Sequence, residues 1–436
     1  MRILAVTLIA LSACQLKPSE ESPEPAPQPA AAGAPAVTGE SAGPEALVPA
    51  PAASQPAAAA SGGACVEVLS RRSFGPASGN SRAVCLLDAD GDGALDAFVG
   101  AFNEPDTLYW NDGQGSLGSQ SSTTVGEGAG AASGPTFGAA AADLNGDGRA
   151  DLLVVHSDEQ ANLLQLNLGG RQGFESADGG SLTEHARDSY GAACADLDLD
   201  GDMDAVVANR RAHNELHFND GRGHFVAAPA DPLSSEGGNS RAVACADLDG
   251  DGDDDVVVAN WGANAHAVYL NQGGAQDGQA GAFVQDRTTE LAQVSSKSCG
   301  VAMGDLDGDG DLDLAFSNRK GEANEVWLNG GGGLFSLSSG ALPPGDGGNS
   351  TDVAMVDLDG DGVRDLAILN RQGPPYLYLN DGGARFTACD DVPLAKNPLE
   401  ATGCAWGDLQ GGGSVDLLIV DAVGPDLQLV LGPAER

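Results

Sequence analysis

The stretch DLDGDGDLD at residues 305–313 places five aspartates in nine positions. Carboxylates packed that densely repel one another, so something must neutralise them or water must screen them. The pattern is not alone. Copies stand at 88–96 (DADGDGALD), 143–151 (DLNGDGRAD), 196–204 (DLDLDGDMD), 247–255 (DLDGDGDDD) and 357–365 (DLDGDGVRD), with a decayed seventh, DLQGGGSVD, at 408–416. Their starts are 55, 53, 51, 58, 52 and 51 residues apart, a near-constant period that marks a repeat architecture.

The rest of each unit recurs with the loop. Small residues precede it (SRAVACA, CGVAMG, ATGCAWG), and a β-rich run follows (DLLVVH, DVVVAN, DLAFSN). A loop of about six residues leads to a second alternating run (NELHFND, NEVWLNG, PYLYLND), then Asn/Gly turn residues and a short segment led by Phe. Four short strands per unit, joined by Gly, Asn and Asp turns, predict an antiparallel blade. Seven such blades arranged radially predict an all-β, seven-bladed β-propeller over 64–436. The seventh unit supplies three strands, and 64–70 (ACVEVLS) precedes the first unit without a blade of its own. It is expected to complete the last blade and close the ring, leaving no exposed edge.

Within each loop Asp or Asn falls at positions 1, 3, 5 and 9, and Gly at 6 permits a tight turn. Side chains at 1, 3 and 5 converge while the chain curls, and residue 7 offers its carbonyl, that of Asp311 in the fifth loop. Hard oxygen donors in that number suit Ca2+, whereas softer metals call for His or Cys. The nominated ligands are Asp88, Asp90, Asp92 and Asp96; Asp143, Asn145, Asp147 and Asp151; and Asp196, Asp198, Asp200 and Asp204. They continue with Asp247, Asp249, Asp251 and Asp255; Asp305, Asp307, Asp309 and Asp313; and Asp357, Asp359, Asp361 and Asp365. Gln410 and Gly412 stand at positions 3 and 5 of the seventh loop, so six calcium sites are expected and that loop is expected to hold none. The pattern resembles the FG-GAP/VCBS repeats, whose DxDxDGxxD loops bind calcium in integrin α-subunit propellers and related bacterial proteins. Stretches such as NEVWLNGGGGLF follow the VCBS form more closely than the integrin form. The resemblance implies a calcium-binding propeller used for recognition or adhesion.

The chain has 436 residues with a formal net charge of −42 and 5% aromatics. That charge argues against nucleic acid or an anionic membrane as partner. Arg2, the short apolar run 3–10 and LSAC at 11–14 resemble a bacterial lipoprotein signal, with cleavage after residue 13 and lipid on Cys14. Residues 14–63 are then a lipidated Cys followed by a disordered Pro/Ala-rich linker reaching roughly 40 Å. Gln15 after the cysteine points, by analogy, to the outer membrane, so the expected product is exported, lipid-anchored and monomeric. The membrane is then touched only through the anchor. Seven further cysteines remain, with no CxxC among them. A Cys389–Cys404 bridge is the expected disulfide, since both fall in one crossover.

First-to-second-strand loops leave a blade at one end, and second-to-third loops and crossovers leave at the other. The far end therefore collects Arg82, Arg210, Arg211, Arg241, Lys297, Arg319, Lys320 and Arg371, eight of the 21 basic residues, together with Trp261 and Phe102. Arginine there can pair with carboxylate or sulfate, and Trp can stack; the plainer reading is carbonyl bonding between blades. A protein or glycan ligand is the expected partner. Six scattered histidines show no HExxH spacing, and no GxSxG occurs, so no catalytic residue is nominated. His156, His213 and His266 are read as exposed loop residues. The alternative class is a calcium-dependent polysaccharide-processing enzyme, lyase or hydrolase, on the same scaffold.

Overall fold

A computed structural model describes residues 66–75, 79–125, 134–228, 232–235, 237–273, 279–343, 348–389 and 399–433. The expected signal, Cys14 and the linker lie outside these residues. The fold is all-β and antiparallel throughout its ladders, with only single-turn helices such as Ser181–Glu184 and Pro232–Ser235 between strands.

Unit 5 shows the plan. Its strands Ser298–Gly304, Asp313–Asn318, Glu325–Asn329 and Phe335–Leu337 pair in sequence order. The first strand is built of small residues because it lies against the first strands of both neighbouring units. The second strand is buried at every position, since sheets cover both of its faces. That explains why DLAFSN reads as a continuous apolar run rather than an alternating one. The third strand alternates and the fourth is largely exposed. In units 3 and 6 the second strands, Asp204–His213 and Asp365–Gly373, run on past the blade. Their ends pair with the next unit's first strand, Arg210 opposite Asn239 and Arg371 opposite Glu400.

Among the described residues the core lies between units rather than inside them. Trp327 packs with Ala242, Val257 and Val268 of unit 4, Tyr269 with Ala193 and Val206 of unit 3, and Tyr378 with Ala302 and Ala315 of unit 5. The aromatic residues of the third strands are thus the packing between consecutive sheets. Leu418 and Val420 of unit 7 join Val84, Leu86, Val99 and Tyr109 of unit 1 in a further cluster. Val66–Phe74 pairs antiparallel with Asp426–Pro433, from Val66 opposite Pro433 to Phe74 opposite Asp426.

Every first strand carries a β-bulge near its start, as between Ser298 and Gly300. The residue held in the bulge is Arg82, Phe137, Tyr190, Arg241, Cys299, Thr351 or Thr402 in turn along the chain. Bulges turn a side chain away from the ladder, and these reach the adjacent unit. Phe137 meets Tyr190 with centroids 4.6 Å apart, while the Thr351 and Thr402 hydroxyls donate to the carbonyls of Ala401 and Ser81.

The cysteine expectation fails. Cys389 is disulfide-bonded, but Cys404 is a free thiol. It is sealed in the core between units 6 and 7, where burial raises its pKa well above the ordinary thiol value.

Candidate functional site

The acidic loops are held by their own carboxylates. In the first loop Asp88 Oδ1 accepts from the backbone N–H of Gly91 and Asp92, and Oδ2 from Gly93. Gly91 and Gly93 adopt φ of 79° and 88°, a conformation that side chains rarely take. Asp305 accepts likewise from Gly308 and Gly310, and Asp357 from Gly360, Asp361 and Gly362.

The ninth-position aspartate has a second task. Asp313 is fully buried; its Oδ2 accepts from Leu306 N–H and its Oδ1 from Asn329 N–H, both at 2.8 Å. Asp96, Asp151, Asp204, Asp255 and Asp365 repeat both bonds. Burial pushes their pKa up, to about 6 for Asp96, Asp151, Asp313 and Asp365 and about 7 for Asp204 and Asp255, with backbone N–H bonds opposing the rise. Neighbouring loop carboxylates add to it. A bound cation reverses that last effect.

A residue that the sequence reading took for a turn former completes the arrangement. The asparagine ending the third strand of each of units 1 to 6 donates from Nδ2 twice, once within its unit and once across to the loop of the unit before. Asn329 reaches Leu312 O and Leu248 O, and Asn380 reaches Arg364 O and Leu306 O. Asn111 of unit 1 reaches Leu409 O of unit 7. Its recurrence 15–16 residues after the ninth aspartate was the available signal.

The loops fit a hard cation. Oxygens of Asp88, Asp90 and Asp96, of Asp196, Asp198 and Asp204, and of Asp305, Asp307 and Asp313 gather within 4.8 Å of one another. So do those of Asp247, Asp249 and Asp251, and of Asp357, Asp359 and Asp361. Asp196 Oδ1, Asp198 Oδ1 and Asp251 Oδ2 are buried and accept no hydrogen bond. A buried acceptor in that state is costly unless a cation meets it. Each carboxylate oxygen has two lone pairs, so the ninth aspartate can hold backbone and still face an ion. In the second loop Asp147 forms an ion pair with Arg149, which competes for one of its donors.

At the opposite end the expected rim residues separate into two groups. Arg241, buried in its bulge, lies 4.3 Å from the Tyr190 ring centre and 5.1 Å from that of Trp261. Arg210 lies 5.5 Å from the Tyr190 ring centre and pairs with Asp188 at 2.9 Å. Arg319 and Lys320 approach Trp261 at 5.8 and 5.7 Å. Arg82, over Phe102 at 5.4 Å, and Arg371, bonded to Glu400 at 2.5 Å, make up the second group. Lys297 pairs with Glu322, and Arg211 is exposed. Burial, and after it the charge of Arg371, lowers Arg82 and Arg319 to about 10. Tyr190 was missed in the sequence because only its bulge brings it here, and Glu400 because only the overrun of the sixth unit's second strand sets it opposite Arg371.

Two of the loop histidines are buried rather than exposed. His156 bonds to Ala161 O, and His266 stacks on Phe316 at 4.0 Å. His266 also meets Ser298 Oγ at 3.2 Å, with Glu325 3.8 Å away, an arrangement with the composition of a hydrolytic triad. The backbone N–H of Asn260 donates to its Nδ1, so the proton is on Nε2, facing the serine. Nε2 in that tautomer cannot accept the serine proton, and Ser298 is fully buried. The trio is structural.

Six overlapping stretches, 88–154, 143–207, 196–258, 247–316, 305–368 and 357–419, match the FG-GAP-like repeat family. Cartilage acidic protein 1 of Xenopus tropicalis is 27% identical over 270 residues, covering 54% of this chain and 40% of that protein. Its Homo sapiens counterpart is 30% identical over 175 residues, covering 38% and 25%. The chain therefore spans less than half the length of these relatives. Among solved structures, an Agrocybe aegerita lectin that recognises non-reducing terminal N-acetylglucosamine shares the fold. Its TM-score is 0.51 at 23% identity, over 72% of this chain and 81% of the lectin.

Proposed function

The chain belongs to the FG-GAP-like repeat family, and from that premise we propose that it is a calcium-tied recognition module that binds a protein or glycan partner. The scaffold in this reading is a seven-bladed propeller closed by Val66–Phe74. The pairing of that strand with Asp426–Pro433 and the reach of Asn111 to Leu409 support closure. Calcium is held by the carboxylates of loops 1 to 6, with Asn145 replacing one of them in loop 2. The ion neutralises the carboxylates and fixes each loop; the ninth aspartate and the third-strand asparagine then pass that rigidity to the next blade.

Recognition falls to the other end. The observation that carries this is the stacking of Arg210, Arg241, Arg319 and Lys320 about Tyr190 and Trp261, with Arg82 over Phe102 and Arg371 paired with Glu400, in a chain of net charge −42. Arginine and aromatic side chains are the residues that dominate binding energy at interfaces. The module binds without catalysis, works as a monomer and is held outside the cytoplasm, probed by partners at the end of its linker from a lipid on Cys14. A glycan and extracellular-protein array probed with and without calcium tests this reading, with Arg82→Gln/Arg371→Gln as the control. Calcium-dependent binding that the double variant loses supports it; binding that the variant retains contradicts it. A turnover assay on every hit tests the enzymatic alternative, and product formation overturns the assignment as a binding module.

A further inference from the structure

A cavity of about 740 Å³ opens at the acidic-loop end, where the first strands of units 5, 6, 7 and 1 lie side by side. One position of the first strand builds its wall. The residue paired with the one that follows the ninth aspartate is Leu86, Met303, Met355 and Trp406 in these four units. In units 2, 3 and 4 that position carries Ala141, Cys194 and Cys245. Leu95, Leu312 and Val363 close the wall from the loops. Two glycines keep the space open. A β-carbon on Gly304 would stand 3.1 Å from Met355 Sδ, and one on Gly407 would stand 2.9 Å from Leu95 Cδ1. Walls of this kind give water few partners and suit an apolar guest.

The charged groups of the lining decide the polar end of that guest. Asp305 and Asp408 line the cavity, but both carboxylates are committed to their own loops. Asp305 accepts from the N–H groups of Gly308 and Gly310, and Asp408 from those of Gln410, Gly412 and Gly413. Arg364 is the remaining charge of the lining. It is exposed, lies 5.4 Å from the Trp406 ring centre and forms no ion pair among the described residues. Its Cγ would stand 3.7 Å from the same β-carbon on Gly304, so the glycine also lets the arginine stem lie along the wall.

We propose that this cavity binds a small amphipathic carboxylate, with its apolar body among Met303, Met355, Leu95 and Trp406 and its carboxylate on the Arg364 guanidinium. The site lies at the end away from the arginine rim, so it does not depend on the recognition reading. The guanidinium offers a carboxylate two parallel N–H donors, and methionine side chains adapt to the shape of the apolar body.

The test uses the full chain in saturating calcium, with anilinonaphthalene sulfonate, an aromatic anion that fluoresces in apolar surroundings, as reporter. Dodecanoate, dodecyltrimethylammonium and a capped apolar tripeptide compete with it, all below micelle-forming concentrations. A single saturable reporter site is expected, displaced by dodecanoate roughly tenfold or more better than by the ammonium, as a charge-assisted hydrogen bond implies. Arg364→Gln should weaken dodecanoate by a similar factor and remove its advantage over the ammonium. Leu95→Trp, at a loop position that supplies no nominated ion ligand, fills the space and should abolish reporter binding. Melting curves show whether each variant is folded, and Leu312→Trp fills the cavity from unit 5 should Leu95→Trp melt early. Unchanged dodecanoate affinity in Arg364→Gln, or reporter binding retained by a folded tryptophan variant, overturns the proposal. Stronger displacement by the tripeptide makes the cavity a socket for a protein side chain and overturns it too. Reporter binding that never saturates marks apolar surface elsewhere and does the same.

Discussion

Replacing Asn329 by alanine should loosen the joint between units 4 and 5 without touching a metal ligand. Three bonds disappear: Nδ2 to Leu248 O at 2.8 Å, Nδ2 to Leu312 O at 3.2 Å, and Gly331 N–H to Oδ1 at 3.1 Å. The first is fully buried, so the Leu248 carbonyl is left without a partner at about 2 kcal/mol. The other two are partly buried and water can replace them, at about 0.5–1 kcal/mol each. The total is about 3–4 kcal/mol. Unfolding entropy near 2.1 cal/mol/K per residue, over about 370 residues between Val66 and Pro433, gives ~0.8 kcal/mol/K. Asn329→Ala should therefore lower Tm by about 4–5 °C with calcium saturating, read by differential scanning calorimetry. Ser336→Ala, on the exposed fourth strand, serves as the control and should leave Tm unchanged. Asn329→Asp should be worse than alanine, because a carboxylate would then face two carbonyls. A variant melting within 1 °C of the parent would refute the claim that this asparagine ties the units together.

Three further outcomes are expected. Six sites each contributing about 2.7 kcal/mol at a hundredfold excess of calcium over Kd amount to about 16 kcal/mol, so EGTA should lower Tm by about 20 °C; an unchanged melting curve contradicts calcium as the stabiliser. Asp307→Asn should release one ion per chain and lower Tm by about 3 °C in calcium, with no further effect in EGTA. Burial lifts the Asp352 carboxyl to about 8, against backbone N–H bonds from Cys404 and Val353. The folded state thus keeps a proton that the unfolded chain releases above about pH 4, and the resulting stability, complete below that pH, fades as pH rises through 8. Tm in saturating calcium should accordingly fall between pH 6 and 9, and Asp352→Asn should flatten the slope; identical slopes in both proteins would count against it.

The repeat was legible because its signal is periodic and chemical at once. Asp at alternate positions, Gly where φ is positive and a β-rich run beginning at the ninth aspartate located loop, turn and second strand in every unit. The role of Asn329 and its counterparts was not legible, since an Asn before Gly reads as a turn former. Its partner, Leu248 O, is 81 residues away and offers no side-chain signal. The same holds for the arginine rim. Sequence spacing assigned Arg82 and Arg241 to the end away from the acidic loops, but the bulge that holds Arg241 near Tyr190 and Trp261 is a backbone irregularity with no residue code of its own. His156 and His266 were misjudged because a loop position usually means exposure, whereas here each second-to-third loop folds back on its own strand end. The Cys389–Cys404 pairing failed because nearness in sequence says nothing about which face of a strand a thiol occupies.

In the proposed scaffold the acidic loops are calcium sites that hold consecutive units together. Native mass spectrometry of the folded chain in a calcium-containing volatile buffer counts the ions directly. Six retained per chain, falling to five in Asp307→Asn, is the predicted result; a folded chain retaining none would contradict the account at its centre.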